Sequence, residues 1–298
     1  MSAITLLDGG MGQELVHRSG AAPTPLWATQ VMLDRPGLVE AIHDDYFAAG
    51  ATVATTNTYA IHRDRLVGTG LEDRFAELHA NALAAAQAAR ARHGAGRIAG
   101  SIGPLVASYR PEVHPPHDTA APLYAEIAGI LGPEVDVILC ETVASGAHMR
   151  AALEGAKAAG KPVWISFTVD DRTGGQLRSG EALGPVAAEA AAMGADALLA
   201  NCSAPEAIAD ALAAFAPTGL PFGAYANGFH QITADFLKDR PTVDVLHARP
   251  ELTPETYAGY AMGWVGQGAT LVGGCCEVGP AHIAELARRL TAAGHAIV

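Results

Sequence analysis

The stretch Ala269-Thr270-Leu271-Val272-Gly273-Gly274-Cys275-Cys276 is a short apolar run that stops on two glycines and two adjacent cysteines. A run of this kind, apolar at nearly every position, suits a strand buried on both faces, as in a parallel sheet covered by helices. Seven similar runs precede it: residues 4–8 (ITLLD), 52–57 (TVATTN), 97–101 (RIAGS), 136–141 (DVILCE), 162–167 (PVWISF), 196–202 (DALLANC) and 221–227 (PFGAYAN). Between and after them lie stretches rich in Ala, Leu and Glu that predict helices over 36–49, 71–93, 120–131, 145–159, 181–193, 205–216, 254–266 and 280–293. Ser203-Ala204-Pro205-Glu206 and Thr253-Pro254-Glu255 put a hydroxyl residue near a helix start and Pro in the first turn, where each is favoured. Eight βα units in order predict a (β/α)8 TIM barrel, a single domain over residues 1–298, with an open doubly wound sheet as the alternative.

Composition narrows the function. The chain has 298 residues, half of them hydrophobic and only 17% charged, so it can bury a large core. A formal net charge of -12, with no run of Lys and Arg, argues against a nucleic-acid partner. The N-terminus lacks the basic start and apolar stretch of a secretory signal, and no apolar run reaches the length of a membrane span, which points to a cytoplasmic address and no membrane partner. In a reducing compartment, clustered cysteines read as metal ligands or catalytic groups rather than disulfides.

In a barrel, chemistry belongs at the C-terminal strand ends. Those ends carry Asp8-Gly9-Gly10, Thr56-Asn57-Thr58-Tyr59, Ser101-Ile102-Gly103-Pro104, Glu141-Thr142, Ser166, Asn201-Cys202-Ser203, Asn227-Gly228 and Gly273-Gly274-Cys275-Cys276. Cys202 and the Cys275-Cys276 pair lie at the ends of strands six and eight, separated by one strand around the ring. Three soft thiolates there suit a Zn2+ ion with an open fourth position, the arrangement of a catalytic site. Neighbouring side chains on a strand point oppositely, so both cysteines reach one ion only if the backbone leaves strand geometry; Gly273 and Gly274 allow that. Cys140 is expected to be a small buried hydrophobe. Asp8 and Glu141 either cap local structure or hold a substrate ammonium. Of the twelve histidines, His114 and His117 fall in a Pro-rich loop, and His43, His79, His148 and His282 fall in helices at solvated or satisfied positions. Gly9-Gly10-Met11-Gly12 lacks dinucleotide or P-loop spacing and is expected to be a tight strand-to-helix turn. The longest irregular stretches, 103–119 and 228–253, are large enough to shape a site.

With these residues in view, the chain resembles the homocysteine S-methyltransferase family. The resemblance runs from Leu6-Leu7-Asp8-Gly9-Gly10-Met11-Gly12 through Thr55-Thr56-Asn57-Thr58-Tyr59, Gly100-Ser101-Ile102-Gly103-Pro104 and Glu141-Thr142 to Asn201-Cys202-Ser203 and Gly273-Gly274-Cys275-Cys276. It implies zinc held by Cys202, Cys275 and Cys276, with the homocysteine sulfur as fourth ligand. By the same resemblance Asp8 and Glu141 grip the homocysteine amino group, and Gly9, Ser203 and nearby amides meet its carboxylate; Thr56 and Asn57 complete the predicted substrate site. The product is methionine. Aromatic faces recognise a sulfonium or quaternary ammonium, whose charge offers no N–H, and Trp27, Tyr59 and Tyr109 are the candidates.

The chain also departs from the family. Glu277-Val278-Gly279-Pro280 stands where S-methylmethionine users often have Arg-Thr-Thr-Pro, and Thr142 stands where betaine enzymes carry Tyr. The chain stops soon after the last predicted helix, without the betaine enzymes' oligomerisation arm, and has no corrinoid or folate module. Size and the Leu26-Trp27 pair favour a stand-alone enzyme using a sulfonium such as S-methylmethionine or S-adenosylmethionine, while Glu277-Val278 leaves the exact donor open. The alternatives are betaine- or corrinoid-dependent transfer to homocysteine or another thiol or selenol. A non-catalytic zinc-binding barrel acting as sensor or scaffold is the reading from a different class; the paired carboxylates favour the enzyme. Its expected partners are small molecules, and the sequence leaves the oligomeric state open.

Overall fold

The period-two rule that places alternate strand residues on opposite faces organises the whole molecule. The computed structural model describes residues 2–20, 28–230 and 246–298. In chain order its strands are β1 (Ala3–Leu6), β2 (Val53–Thr55), β3 (Arg97–Ile102), β4 (Val137–Val143), β5 (Val163–Phe167), β6 (Ala197–Asn201), β7 (Phe222–Tyr225), β8 (Leu271–Val272) and β9 (Ala296–Ile297). The helices are α1 (Met11–Ser19), α2 (Ala28–Asp34), α3 (Leu38–Ala48), α4 (Arg63–Leu66), α5 (Phe75–His93), α6 (His117–Leu131), α7 (Gly146–Ala156), α8 (Leu183–Ala192), α9 (Ile208–Phe215), α10 (Pro254–Gly266) and α11 (Pro280–Ala292). Each of the eight expected strands and eight expected helices has its counterpart, displaced by at most a few residues.

The strands form one parallel sheet in the order β2-β3-β4-β5-β6-β7-β8-β1-β9. β1 pairs with β8, Thr5 opposite Leu271 and Leu6 opposite Val272. Just beyond β1 the chain also meets β2. The Thr52 amide donates to Leu6 O at 2.7 Å, the Asp8 amide donates to Val53 O at 3.1 Å, and Leu7 lies opposite Val53. The sheet therefore curls until its two ends meet, a TIM-barrel-like α/β architecture.

α1, α2, α4 and β9 go beyond the eight predicted strands and eight predicted helices, although the turn expected at Gly9-Gly10-Met11-Gly12 does lead into α1. α1 follows Gly9-Gly10, but only Met11 and Leu15 supply its apolar face, too weak a period to read; it stops at Gly20, whose φ of 65° suits glycine. α2 and α4 are one or two turns long. β9 pairs with the start of β1 and leaves the far end of β1 to β2. Thr253 caps α10 by accepting from the Thr256 amide at 3.3 Å, as its place before Pro254 predicts. Ser203 caps no helix: its hydroxyl accepts from the Val169 amide at 2.9 Å.

Outward-facing strand residues such as Ile98, Ile138, Ile165 and Leu198 pack under the helices in the main core. Cys140 joins them, fully buried with Sγ 3.9 Å from Ala152 O, as expected of a small hydrophobe. Inward-facing residues make a second cluster of Leu7, Val53, Ala99, Val137, Leu139, Trp164, Leu199 and Leu271 that fills the N-terminal half of the sheet's interior. Each large side chain so buried contributes about 1.5–3 kcal/mol.

The histidines divide. His79 Nδ1 donates to Phe75 O at 2.8 Å, His148 Nδ1 accepts from the Ala144 amide at 3.3 Å, and His282 Nε2 donates to Leu252 O at 3.0 Å. His43 departs from the expectation: it is fully buried with neither ring nitrogen hydrogen-bonded, and burial pushes it down to about 4, so the ring packs as a neutral aromatic. His117 opens α6 rather than lying in a loop.

Candidate active site

Two residues beyond the inward-facing apolar cluster, the same faces of the same strands turn polar. Val53 is followed by Thr55, Ala99 by Ser101, Leu139 by Glu141 and Leu199 by Asn201, and all four polar residues line one cleft of about 870 Å³, its mouth included. Asp8, Gly9, Thr56, Asn57, Tyr59, Tyr109, Cys202, Tyr225, Cys275 and Cys276 complete the walls that matter here. Ser203 is fully buried and outside these walls, its hydroxyl turned to Val169. Trp27 lies outside the described residues, as do 231–245 of the second long loop.

The carboxylates are held by neutral donors. The Thr55 amide and hydroxyl donate to Asp8 Oδ2 and Oδ1 at 2.7 and 2.8 Å. Tyr225 donates to Glu141 Oε1 at 2.9 Å and the Ser101 hydroxyl to Oε2. Neither acid is neutralised by a Lys or Arg among the described residues. Burial consequently wins over the hydrogen bonds and pushes Asp8 up to about 7 and Glu141 to about 8. Two such acids in one cleft favour a cationic ligand, whose charge supplies the missing counter-ion.

The sulfurs converge through backbone distortion. Cys202 follows an inward residue and would point outward on a continuing strand; instead its φ is 50°, in the left-handed region. Thr142 has φ 58° at an irregularity in the β4–β5 register between Cys140 and Val143. One side chain braces both: Asn201 Oδ1 accepts from the Thr142 amide at 3.0 Å and Ser166 Oγ at 2.9 Å, while Nδ2 donates to Thr142 Oγ1 at 3.2 Å and Cys202 Sγ at 3.3 Å. At the other side β8 ends at Val272, so Gly273 and Gly274 have left the strand before the cysteines, as anticipated. Gly10 and Gly274 are required by close approach: a Cβ on Gly10 would stand 2.6 Å from Cys275 O, and one on Gly274 2.1 Å from Val278 Cγ1. Glu277, beyond the pair, also has a left-handed φ, 63°, and accepts from Gln13.

Cys202 Sγ and Cys275 Sγ lie 2.8 Å apart, and all four cysteines are free thiols. Donation from Cys275 and Cys276 holds Cys202 well below the ordinary thiol range against the cost of burial, while the same bonding raises its two neighbours. Tyr109, Phe229 and Leu246 pack against the sulfurs, burying Cys202 and leaving Cys275 and Cys276 partly exposed to the cleft. Three soft donors on one wall fit a thiophilic cation in type and number. Ligands at about 2.3 Å on a tetrahedral ion stand roughly 3.8 Å apart, so Cys202 and Cys275 must separate by about 1 Å to share one. Among the described residues no group of His, Cys, Asp and Glu already has ready-made metal-site spacing.

Tyr59 and Tyr109 line the cleft, the former with its hydroxyl 2.8 Å from Ser108 Oγ, the latter with Arg178 5.5 Å over its ring. Asn57 Nδ2 donates to Ala28 O at 3.3 Å, and Thr56 Oγ1 accepts from the Ser101 amide at 3.0 Å, so both brace the wall. The sequence names Ser101 and Asn201 as strand-end residues without a role, and Thr55 and Tyr225 are not among its candidate site residues. Two-residue spacing from buried strand positions is the signal that finds them, Tyr225 excepted, since an aromatic at a strand end reads equally as core.

The homocysteine S-methyltransferase family model matches residues 5–290. The chain is 30% identical to the homocysteine S-methyltransferase of Escherichia coli K12, covering 96% of this chain and 95% of that protein. It is 27% identical to the methionine synthase of Mycobacterium tuberculosis over 93% of this chain, which corresponds to 25% of that larger protein. Its structure superposes on the crystal structure of the Escherichia coli homocysteine methyltransferase MmuM in its metallated form with a TM-score of 0.80 at 28% identity, covering 97% of this chain and 96% of that one. No helix among the described residues is long and apolar enough to cross a membrane. The chain belongs to the homocysteine S-methyltransferase family of enzymes.

Proposed function

We propose that this protein is a zinc-dependent methyltransferase that moves a methyl group from a small-molecule sulfonium, S-methylmethionine or S-adenosylmethionine, to the thiol of homocysteine, giving methionine. We further propose that residues 1–298 are one closed (β/α)8 barrel domain and that its address is cytoplasmic, in keeping with four free thiols. The observation that carries the function is the meeting of three sulfurs and two cation-seeking carboxylates on the walls of one cleft.

Cys202, Cys275 and Cys276 would hold the Zn2+ ion. When bound there, zinc would supply Lewis acidity, lowering the pKa of a coordinated thiol so that it is a nucleophilic thiolate at neutral pH. The chain's own residues do the rest. Asp8 and Glu141, ionised when an ammonium arrives, fix the amino end of homocysteine, and main chain at Gly9, on the cleft wall, meets its carboxylate. Tyr59 and Tyr109 offer aromatic faces to the sulfonium, and the apolar wall of Tyr109, Phe229 and Leu246 shields one side of the nucleophile from water. The homocysteine sulfur attacks the methyl carbon in line; the donor's C–S bond breaks and its electron pair stays on the donor sulfur, which leaves as a neutral thioether. Two groups held in register gain the entropic advantage of an intramolecular reaction.

The test is methionine formation by the zinc-loaded protein with homocysteine and, in turn, S-methylmethionine, S-adenosylmethionine, betaine and a methylcorrinoid. Turnover is expected with a sulfonium; Cys276→Ala should lower it by at least about 1,000-fold and reduce zinc stoichiometry. No methionine from any donor sinks the reaction, turnover with betaine or corrinoid alone sinks the sulfonium assignment, and full zinc content in the variant sinks the ligand set.

A further inference from the structure

Two residues of the loop after β3 have left-handed backbone, Val106 at φ 65° and Tyr109 at φ 63°. For the β-branched Val106 this is an outlier that needs a restraint from outside the residue. Val106 is 46% exposed, so packing does not hold it there. The restraint comes from α4. The Val106 amide donates to Asp64 Oδ2, whose other oxygen accepts from the Arg65 amide at 3.0 Å. Arg65 Nη2 donates to Pro104 O at 2.7 Å and reaches Ser108 Oγ at 3.4 Å, and Ser108 Oγ is in turn 2.8 Å from Tyr59 OH. The Arg65 guanidinium also lies 5.7 Å over the Tyr59 ring. Gly103 completes the fit, since a Cβ there would stand 2.4 Å from Tyr59 O. Tyr59, Ser108 and Tyr109 line the cleft, whereas Asp64 and Arg65 do not.

We infer that Asp64 and Arg65 are positioning residues for the methyl donor: they hold residues 104–109 in a strained form that sets Tyr59, Ser108 and Tyr109 as the wall on which the sulfonium rests. This rests on the methyl-transfer reading above. Without Asp64 the amide of Val106 loses its acceptor, the residue relaxes to negative φ, and Ser108 and Tyr109 leave their places. Homocysteine, held by Asp8 and Glu141 on other strands, is unaffected.

Steady-state kinetics of the zinc-loaded enzyme, with S-methylmethionine or S-adenosylmethionine, whichever supports turnover, test this. Asp64→Ala should raise the donor KM about 10-fold and leave the homocysteine KM within about 2-fold. Asp64→Asn, which keeps an acceptor, should stay near wild type. Adding Val106→Gly to Asp64→Ala should bring the donor KM back to within about 3-fold of wild type, because glycine takes positive φ without strain. Should Asp64→Ala not fold, Arg65→Lys carries the test: it keeps one donor for Pro104 but loses the reach to Ser108, and should show the same split. A donor KM that does not move, or both KM values moving together, overturns the inference. With an active wild type it overturns this inference alone; an inactive wild type overturns the methyl-transfer reading as well.

Discussion

The interior of the sheet has two halves built on the same strand faces, and they differ in everything but direction. In the N-terminal half Val53, Ala99, Leu139 and Leu199 interlock as a dry apolar plug. Two residues further along, Thr55, Ser101, Glu141 and Asn201 form the floor of the cleft, with buried carboxylates short of counter-ions and left-handed φ at Thr142 and Cys202. The first half gains free energy from burial; the second bears the desolvation of Asp8 and Glu141 and the backbone strain at Thr142 and Cys202, which burial elsewhere offsets. Stability and function are thus separated by about 7 Å along each strand, the rise of two residues.

The largest effect that would sharpen this contrast is expected from Leu139→Ala. It opens a cavity in the plug and should destabilise the protein by about 2–5 kcal/mol, seen as a lowered denaturant midpoint, while the folded enzyme keeps its kcat/KM. Loss of activity without loss of stability would erase the distinction between the halves.

The reverse is expected of Glu141→Gln. The homocysteine KM should rise by roughly 30-fold or more, the scale for removing one partner of a buried charge pair, with stability of the metal-free protein maintained. The pH dependence follows from the same acids. Their folded values, about 7 for Asp8 and about 8 for Glu141, lie above the ordinary 3.8 and 4.5. Their contribution to stability is therefore fully present below the ordinary carboxylate range and lost as pH rises through the folded values. Denaturation of the metal-free protein in chelator should show stability falling between about pH 4 and pH 8 from these groups, less steeply in Glu141→Gln. An identical slope in the variant would break the assignment.

The smallest effect belongs to Cys140→Ala. This cysteine lies on the outward face of β4, under α7, so the change should cost about 1 kcal/mol and leave zinc content and turnover unchanged. A drop in zinc stoichiometry would mean that the outward and inward faces are less separate than they stand here.

Much of this was legible in the residues. The eight strands and their helices follow from apolar period and length alone, since a strand buried on both faces needs an unbroken apolar run wherever it sits. α1 and β9 were not legible: the first has a thin apolar stripe, and the second, two residues long, is a strand only because β1 offers it an edge. The cysteines, Asp8 and Glu141 were legible as strand-end groups of unusual chemistry. The direction of the Ser203 hydroxyl is not legible, because its partner, the Val169 amide, comes from a different strand's loop.

The sequence by itself determined which residues stand at strand ends, because alternation and length are local properties of a chain. Only the tertiary structure decided which of them share a cleft and in what electrostatic state. Pairing of β7 with both β6 and β8 brings Cys202 within 2.8 Å of Cys275. The fold sets Asn201 across from Thr142, lets α4 brace the loop that carries Tyr109, and strips Asp8 and Glu141 of water. Those outcomes depend on contacts between distant segments and on burial, and neither is a property of any short stretch of sequence.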